Sequence, residues 1–408
     1  MLGASDARGD EGLVGGPLFG VVEGFGGLRR SVQKNLVVLT AGFVQLLGGC
    51  RSGQGRLLLL ALARCLPTVG TAHAREKRLH RFLGQGRLDP RAVSGGLASM
   101  VFGRRGRGLW PVVCDQTAVG GVQALVAGVP FAGRVLPLAA YTFAYPWSEA
   151  AVASQNQLEE LFLADLETAL PAGVRAVFVA DRGLARASLL RHSQAVGRLF
   201  VIRGRAGTCV TWQGQRLKLG ELPRLRGRAC RYPGVLYQAQ AQVRVDVVVY
   251  QEPTFQEPWF LLVPPDSAGV LPTNAVVALY RERMQVEQAF RDFKTHLGLR
   301  GLRLKKDVAV RTGRLLLAFL VAYTLALYLG ASAALEAARP ALETPRRTPR
   351  HGTTRTLSVL MLACLALALP SWRAQAQAAL AELLASLARA EPLLPPHPPP
   401  LLRPLPAP

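Results

Sequence analysis

Between Leu109 and Gly204 the chain alternates short apolar runs with stretches of helical spacing, and the order of these pieces limits the fold more than any other feature. LWPVVC (109–114) is apolar on both faces, carries β-branched residues and is too short for a core helix, so it reads as a buried strand. GGVQALVAGVPFAGRVLPLAAYTFA (120–144) holds two further apolar runs separated by Gly and Pro, which suits a hairpin. SQNQLEELFLADLETAL (154–170) spaces its apolar residues for a helix, VRAVFVA (174–180) reads as a strand, LARASLLRHSQAV (184–196) as a helix and RLFVIRG (198–204) as a strand.

Three strands, helix, strand, helix, strand is the order of a mixed α/β, ribonuclease-H-like catalytic core. Residues 205–269 break the pattern. Short alternating strands (TCVTWQGQRLKL, VRVDVVVY, WFLLV) with turn residues between them predict a β-rich insertion. A helix is expected to start near Thr273-Asn274, so the core comprises 106–204 and 270–337. Residues 28–105 read as helical, with Ser31 as a helix cap and a basic helix over AREKRLHRFL (74–83). Residues 338–390 read as helical on either side of the basic loop PRRTPRHGTTR (345–355). Residues 1–27, Gly-rich and of mixed charge, are expected to form a flexible leader without the features of a signal peptide. The Pro-rich stretch 391–408 is expected to be disordered or polyproline II.

Charge narrows the function. Forty-nine Lys and Arg against 26 Asp and Glu give a formal net charge of +23, which implies an anionic partner, either nucleic acid or an acidic membrane. The basic helix at 74–83 would lie on a phosphate backbone or simply be a solvated face. Leu315 to Leu335 carries no charge over a length that could span a bilayer, but an Ala-rich helix interrupted by Thr324, Gly330 and Ser332 suits the middle of a large core better. Six scattered cysteines, with no C-x-x-C pair, fit a reducing cytoplasm rather than a disulfide framework or structural zinc.

Two acids stand where apolar runs end: Asp115 after LWPVVC and Asp181 after VRAVFVA. Ligands bind at the ends of parallel strands in open sheets, and if the two strands are neighbours their carboxylates converge as hard oxygen ligands for Mg²⁺ or Mn²⁺. Either acid alone is more simply a turn or cap residue. On a helical wheel Tyr280, Arg283, Glu287 and Lys294 fall within an arc of about 60°. Leu279, Val286, Phe290, Phe293 and Leu297 form the apolar stripe beside it. Glu287 could complete a carboxylate triad while Arg283 and Lys294 meet phosphate; a salt-bridged surface helix would show the same pattern.

The string YRERMQVEQAFRDFK (280–294) carries Y-x2-R-x3-E-x6-K without a departure. It resembles the signature of the insertion-sequence-four type family of bacterial DDE transposases. DQT (115–117), RVLPLA (134–139) and ADRG (180–183) are similar to that family's blocks around its first two catalytic acids. The β-rich insertion and the passage RLKKDVAVRTGR (303–314) leading into a long apolar helix are similar as well. The resemblance covers roughly 30–335. It implies that Asp115, Asp181 and Glu287 are catalytic and hold two Mg²⁺ or Mn²⁺ ions. It implies that Tyr280, Arg283 and Lys294 contact transposon-end DNA, and that the N-terminal helices bind the ends. It further implies a homodimer acting on double-stranded DNA, the terminal inverted repeats and the target. Trp259, in EPWFLLV, matches a Trp that stacks on a flipped base in hairpin-forming relatives; the plainer reading is a core Trp, with strand alternation leaving one of Trp259 and Phe260 free.

The expected activity is therefore divalent-metal-dependent cleavage of transposon ends and strand transfer. The alternatives are a ribonuclease-H-like nuclease without strand transfer, an inactive DNA-binding relic, and a protein anchored in a membrane by 315–335.

Overall fold

The computed structural model describes residues 16–49, 57–104, 106–148, 152–344, 347–348 and 357–395. Its centre is one ten-stranded sheet. Strands β1 (Gly108–Val119), β2 (Val122–Phe131) and β3 (Arg134–Phe143) form an antiparallel meander, and β4 (Val174–Ala180) and β5 (Leu199–Arg203) extend it in parallel. The sheet order β3-β2-β1-β4-β5 is that of a ribonuclease-H-like core. Helices α6 (Gln155–Ala169) and α7 (Ala187–Ala195) provide the crossovers that parallel strands require.

The β-rich segment is not a separate layer. β6 (Cys209–Trp212), β7 (Gln215–Lys218), β8 (Cys230–Tyr237), β9 (Val243–Tyr250) and β10 (Trp259–Val263) continue the same sheet, because β10 pairs antiparallel with β5 and then with β9. The strand β8 escaped sequence reading: Pro233 and Gly234 interrupt it, and its register slips between Tyr232 and Val235.

Helix α1 (16–23) falls within the segment expected to be a flexible leader, yet it buries Leu18, Val21 and Val22, and Phe25 follows. The rest of the expected leader, residues 1–15, lies outside the described residues. Helix α2 (Arg30–Gly49) starts ahead of Ser31, so Ser31 is not its cap. Helices α3 (Leu59–Arg64), α4 (Ala72–Gly84) and α5 (Pro90–Phe102) complete the N-terminal region, with Thr71 capping α4 and Asp89 capping α5.

Helix α8 (Thr273–Glu282) is followed, across Arg283 in helical conformation, by α9 (Met284–Arg291) and a π-helical turn over Asp292–His296. Helix α10 (Val308–Gly330) is long and apolar enough to cross a membrane, but its surface is taken up inside the protein by α2, β3 and α12 (Val359–Ala368). Gly330 lets α12 approach, since a Cβ there would collide with the Val359 carbonyl. Helices α11 (Ala333–Leu342) and α13 (Pro370–Ala388) finish the C-terminal region. The start of the Pro-rich stretch is ordered: the Leu393 and Leu394 amides donate to the carbonyls of Met100 and Val101, and both side chains are buried. Most of the basic loop 345–355 and residues 396–408 lie outside the described residues.

Candidate active site

Asp115 and Asp181 are brought together by register. β1 and β4 run parallel with Cys114 opposite Ala180, and the residue that follows each of these is an aspartate. The apolar run ends at Cys114, but the strand does not. β1 continues to Val119 along β2, and what ends at Cys114 is only its pairing with β4. Asp115 therefore projects from a continuous strand at the point where the sheet divides. Asp181 heads a 3₁₀ turn, Arg182–Leu184.

The third acid comes from the helix. Leu279, Val286, Phe290, Phe293 and Leu297 are all buried, which fixes the rotation of this segment and turns Tyr280, Arg283 and Glu287 toward the two aspartates. Arg283 donates through Nη1 to Asp115 Oδ2 at 3.1 Å and through Nη2 to Glu287 Oε1 at 2.7 Å. Its guanidinium lies 5.4 Å from the centroid of the Tyr280 ring. The Tyr280 hydroxyl donates to Asp181 Oδ1 at 3.0 Å. All three acids are thus tied, directly or through Tyr280, to one arginine. Lys294, on the π turn, is half-exposed and close enough for its charge and that of Asp115 to act on each other.

The electrostatics separate the two aspartates. Burial pushes the Asp115 carboxyl up to about 6, against the pull of the Gln116 amide (2.7 Å) and of Arg283; the charges of Asp181 and Glu287 add to the rise. Burial also acts on Asp181, but the Arg182 amide, the Arg283 charge and the Tyr280 hydroxyl outweigh it and hold the group below its ordinary value. The Tyr280 hydroxyl is pushed up to about 12, chiefly by burial, and stays a donor at neutral pH. Lys294 is lowered, by burial first and then by Arg300.

Trp259 is buried, and so is Phe260, so the alternation that would leave one of them free does not operate in a strand covered on both sides. The Trp259 ring packs edge-on against Tyr280, with centroids 4.9 Å apart, and tilts against Tyr250. It supports the site from beneath.

Several further groups at the site give no signal in the sequence. Gln155 Nε2 donates both to Gln116 Oε1 (3.0 Å), beside Asp115, and to Glu159 Oε1 (2.9 Å), a fully buried acid that is ion-paired with Arg186. Asp292, wholly buried in the π turn, accepts from Arg134 on β3 and from Tyr323 on α10. A groove of about 690 Å³ beside Asp181 is lined by Arg182, Arg203, Arg205, Glu257 and Pro258. Gln155 and Glu159 sit one helical turn apart, but Gln116 and the partners of Asp292 lie far away in the chain, where no local pattern carries them.

Carboxylate oxygens from three elements are the donor chemistry that Mg²⁺ or Mn²⁺ takes. Among the described residues, however, no three acids, histidines or cysteines stand close enough to hold one ion together. The guanidinium of Arg283 stands between Asp115 and Glu287. In donor chemistry the three carboxylates fit a divalent ion.

Away from the acids, α4 buries Leu79, Phe82 and Leu83 and leaves Lys77, His80 and Arg81 exposed. Arg78 hydrogen-bonds Asn35 on α2, at a cavity of about 300 Å³ lined also by Arg81, Phe82 and Gln85.

Residues 148–325 match a family described as the transposase DDE domain. The match takes in Asp181 and Glu287 and begins after Asp115, and it supports a transposase of the DDE type. No curated protein matches the chain.

Proposed function

We propose that this chain is a DDE-type DNA transposase, in which Asp115, Asp181 and Glu287 cut transposon ends and join them to target DNA. The observation that carries this reading is the convergence where the pairing of the parallel strands β1 and β4 ends: Asp115 and Asp181 each follow the last paired residues, Cys114 and Ala180, and Glu287 is joined to Asp115 through Arg283. The family match over 148–325 supports it, as does the net charge of +23.

Asp115, Asp181 and Glu287 would hold the divalent ions of the reaction. Bound there, two such ions would activate the attacking oxygen, first of water and then of a 3′-hydroxyl, and stabilise the leaving oxygen. The protein's own residues set the rest. Lys294 and Arg283 take the phosphate oxygens and keep the phosphodiester in line. Tyr280 orients Asp181 through its hydroxyl, and Trp259 fixes the Tyr280 ring. The arginines lining the groove beside Asp181 extend the positive surface along which a DNA strand approaches, and α4 offers Lys77 and Arg81 to the duplex further out. Pairing of two DNA ends calls for two copies of the chain, acting in the compartment that holds the DNA, the cytoplasm.

The test is incubation of the purified protein with duplexes carrying the terminal inverted repeats of its own element, a supercoiled target and Mg²⁺. End cleavage followed by joining is expected, with both lost in Asp181→Asn. Cleavage without joining would make the protein a nuclease, and binding without cleavage an inactive relic.

A further inference from the structure

We infer that Arg283 is the resident counter-cation of the carboxylate site, and that divalent metal and DNA load together because a DNA phosphate must first draw Arg283 away from Asp115 and Glu287. This rests on the reading of the site as metal-dependent. Arg283 is 4% exposed, and its two terminal nitrogens are spent on two acids from different elements. Those acids supply oxygens that a metal ion would need, so guanidinium and metal are rivals for the same lone pairs. A dication beside an unmoved guanidinium would also face like charge. The protein without DNA has therefore satisfied its carboxylates internally.

The arginine is itself incompletely satisfied. Its Nε is buried and has no hydrogen-bond partner, which is costly for a charged donor. A phosphate offers what the present arrangement lacks: an acceptor for a fork of parallel N–H groups, which guanidinium binds bidentately. Seating a phosphodiester beside Lys294 would pull the fork off Asp115 and Glu287 and free their oxygens. Binding linkage then runs both ways: DNA raises metal affinity, and metal raises DNA affinity by the same factor. The outcome is a site whose metal-dependent chemistry is confined to seated DNA.

The test is Mn²⁺ binding to the full-length protein, followed through the electron paramagnetic resonance signal of free Mn²⁺, with and without a 30-base-pair duplex. Without DNA, Arg283→Gln removes the rival charge and should bind Mn²⁺ roughly tenfold more tightly than wild type, a change of about 1.4 kcal/mol. Arg283→Lys keeps the charge but cannot span both acids, and should gain a few-fold; it carries the test if the Gln variant does not fold. After subtraction of the Mn²⁺ taken up by the duplex alone, the duplex should tighten Mn²⁺ binding to wild type and leave that to Arg283→Gln unchanged. Equal Mn²⁺ affinity in wild type and the Arg283 variants, with binding lost in Asp181→Asn, overturns the inference and leaves the metal reading standing. Absence of Mn²⁺ binding in every protein, with and without duplex, overturns the metal reading itself.

Discussion

The Tyr280 hydroxyl donates to Asp181 Oδ1 at 3.0 Å, and this bond joins the helix that carries Glu287 to the strand end that carries the second acid. The donor is buried, and Trp259 packs against its ring. Tyr280→Phe keeps the ring contact and removes only the bond. A loss of about 0.5–1.5 kcal/mol in folding stability is expected from one hydrogen bond, with the Asp181 carboxyl rising toward its ordinary value. Urea denaturation measures the first and titration of Asp181 by NMR the second. An unchanged Asp181 titration would show that Tyr280 does not hold that acid.

Neutralising the acids should separate binding from chemistry. Asp115→Asn, Asp181→Asn and Glu287→Gln are each expected to reduce end cleavage by at least about 10³-fold, a loss of about 4 kcal/mol of transition-state stabilisation, while DNA affinity changes little. Gel-shift and cleavage assays on the same preparations decide it. Near-normal cutting by any one variant removes that residue from the site.

Asp115 also predicts a pH-dependent stability. Its folded value of about 6 lies above its ordinary 3.8, so between these values the folded protein binds more protons than the unfolded chain, and stability falls as pH rises through the window. Below about pH 4 the group is protonated in both states and costs nothing; above pH 6 the burial cost is complete. Metal-free Asp115→Asn should therefore match wild type near pH 4 and exceed it at pH 7.5, by on the order of 2–3 kcal/mol. A gap that stays constant across this range would contradict burial as the cause of the shift.

Much of this site could be read from the chain alone, for reasons of range. The helix wheel through Tyr280, Arg283 and Glu287 depends only on local periodicity, and the buried stripe from Leu279 to Leu297 bears it out. The strands ending at Cys114 and Ala180 were legible as apolar runs, but their register was not, and register alone sets Asp115 beside Asp181. Trp259 could not be assigned from alternation, because a strand between β5 and β9 is covered on both faces. Arg283 reads as a phosphate ligand in sequence and stands as a carboxylate ligand in the fold. The difference depends on Asp115, 168 residues away, and no local pattern carries it.

The burial of Trp259 yields its own expectation. Trp259→Ala should cost about 3–5 kcal/mol, as deletion of a buried Trp does, and should depress nicking and double-strand release to the same extent. Trp259→Phe should recover most of both. Loss of release with nicking intact would instead assign the ring to a flipped base.

The buried ion pair under the helix gives the sharpest test of how the π turn serves the site. Asp292 is wholly buried and accepts from Arg134 and Tyr323, anchoring the π turn to β3 and α10. Removing one partner of such a pair strands the other: Asp292→Ala should cost about 3–5 kcal/mol. Replacing both with apolar residues, Arg134→Met with Asp292→Leu, should restore much of the melting temperature, because well-packed apolar residues often match a buried pair. Function should not follow. A π turn holds one residue more than the α turn it replaces; if it relaxes without its anchor, Lys294 changes its place relative to Asp115. Adding Lys294→Ala should then weaken DNA binding in the wild-type background and have no further effect in the double variant. An equal loss in both backgrounds would show that the pair only stabilises the fold and does not aim Lys294.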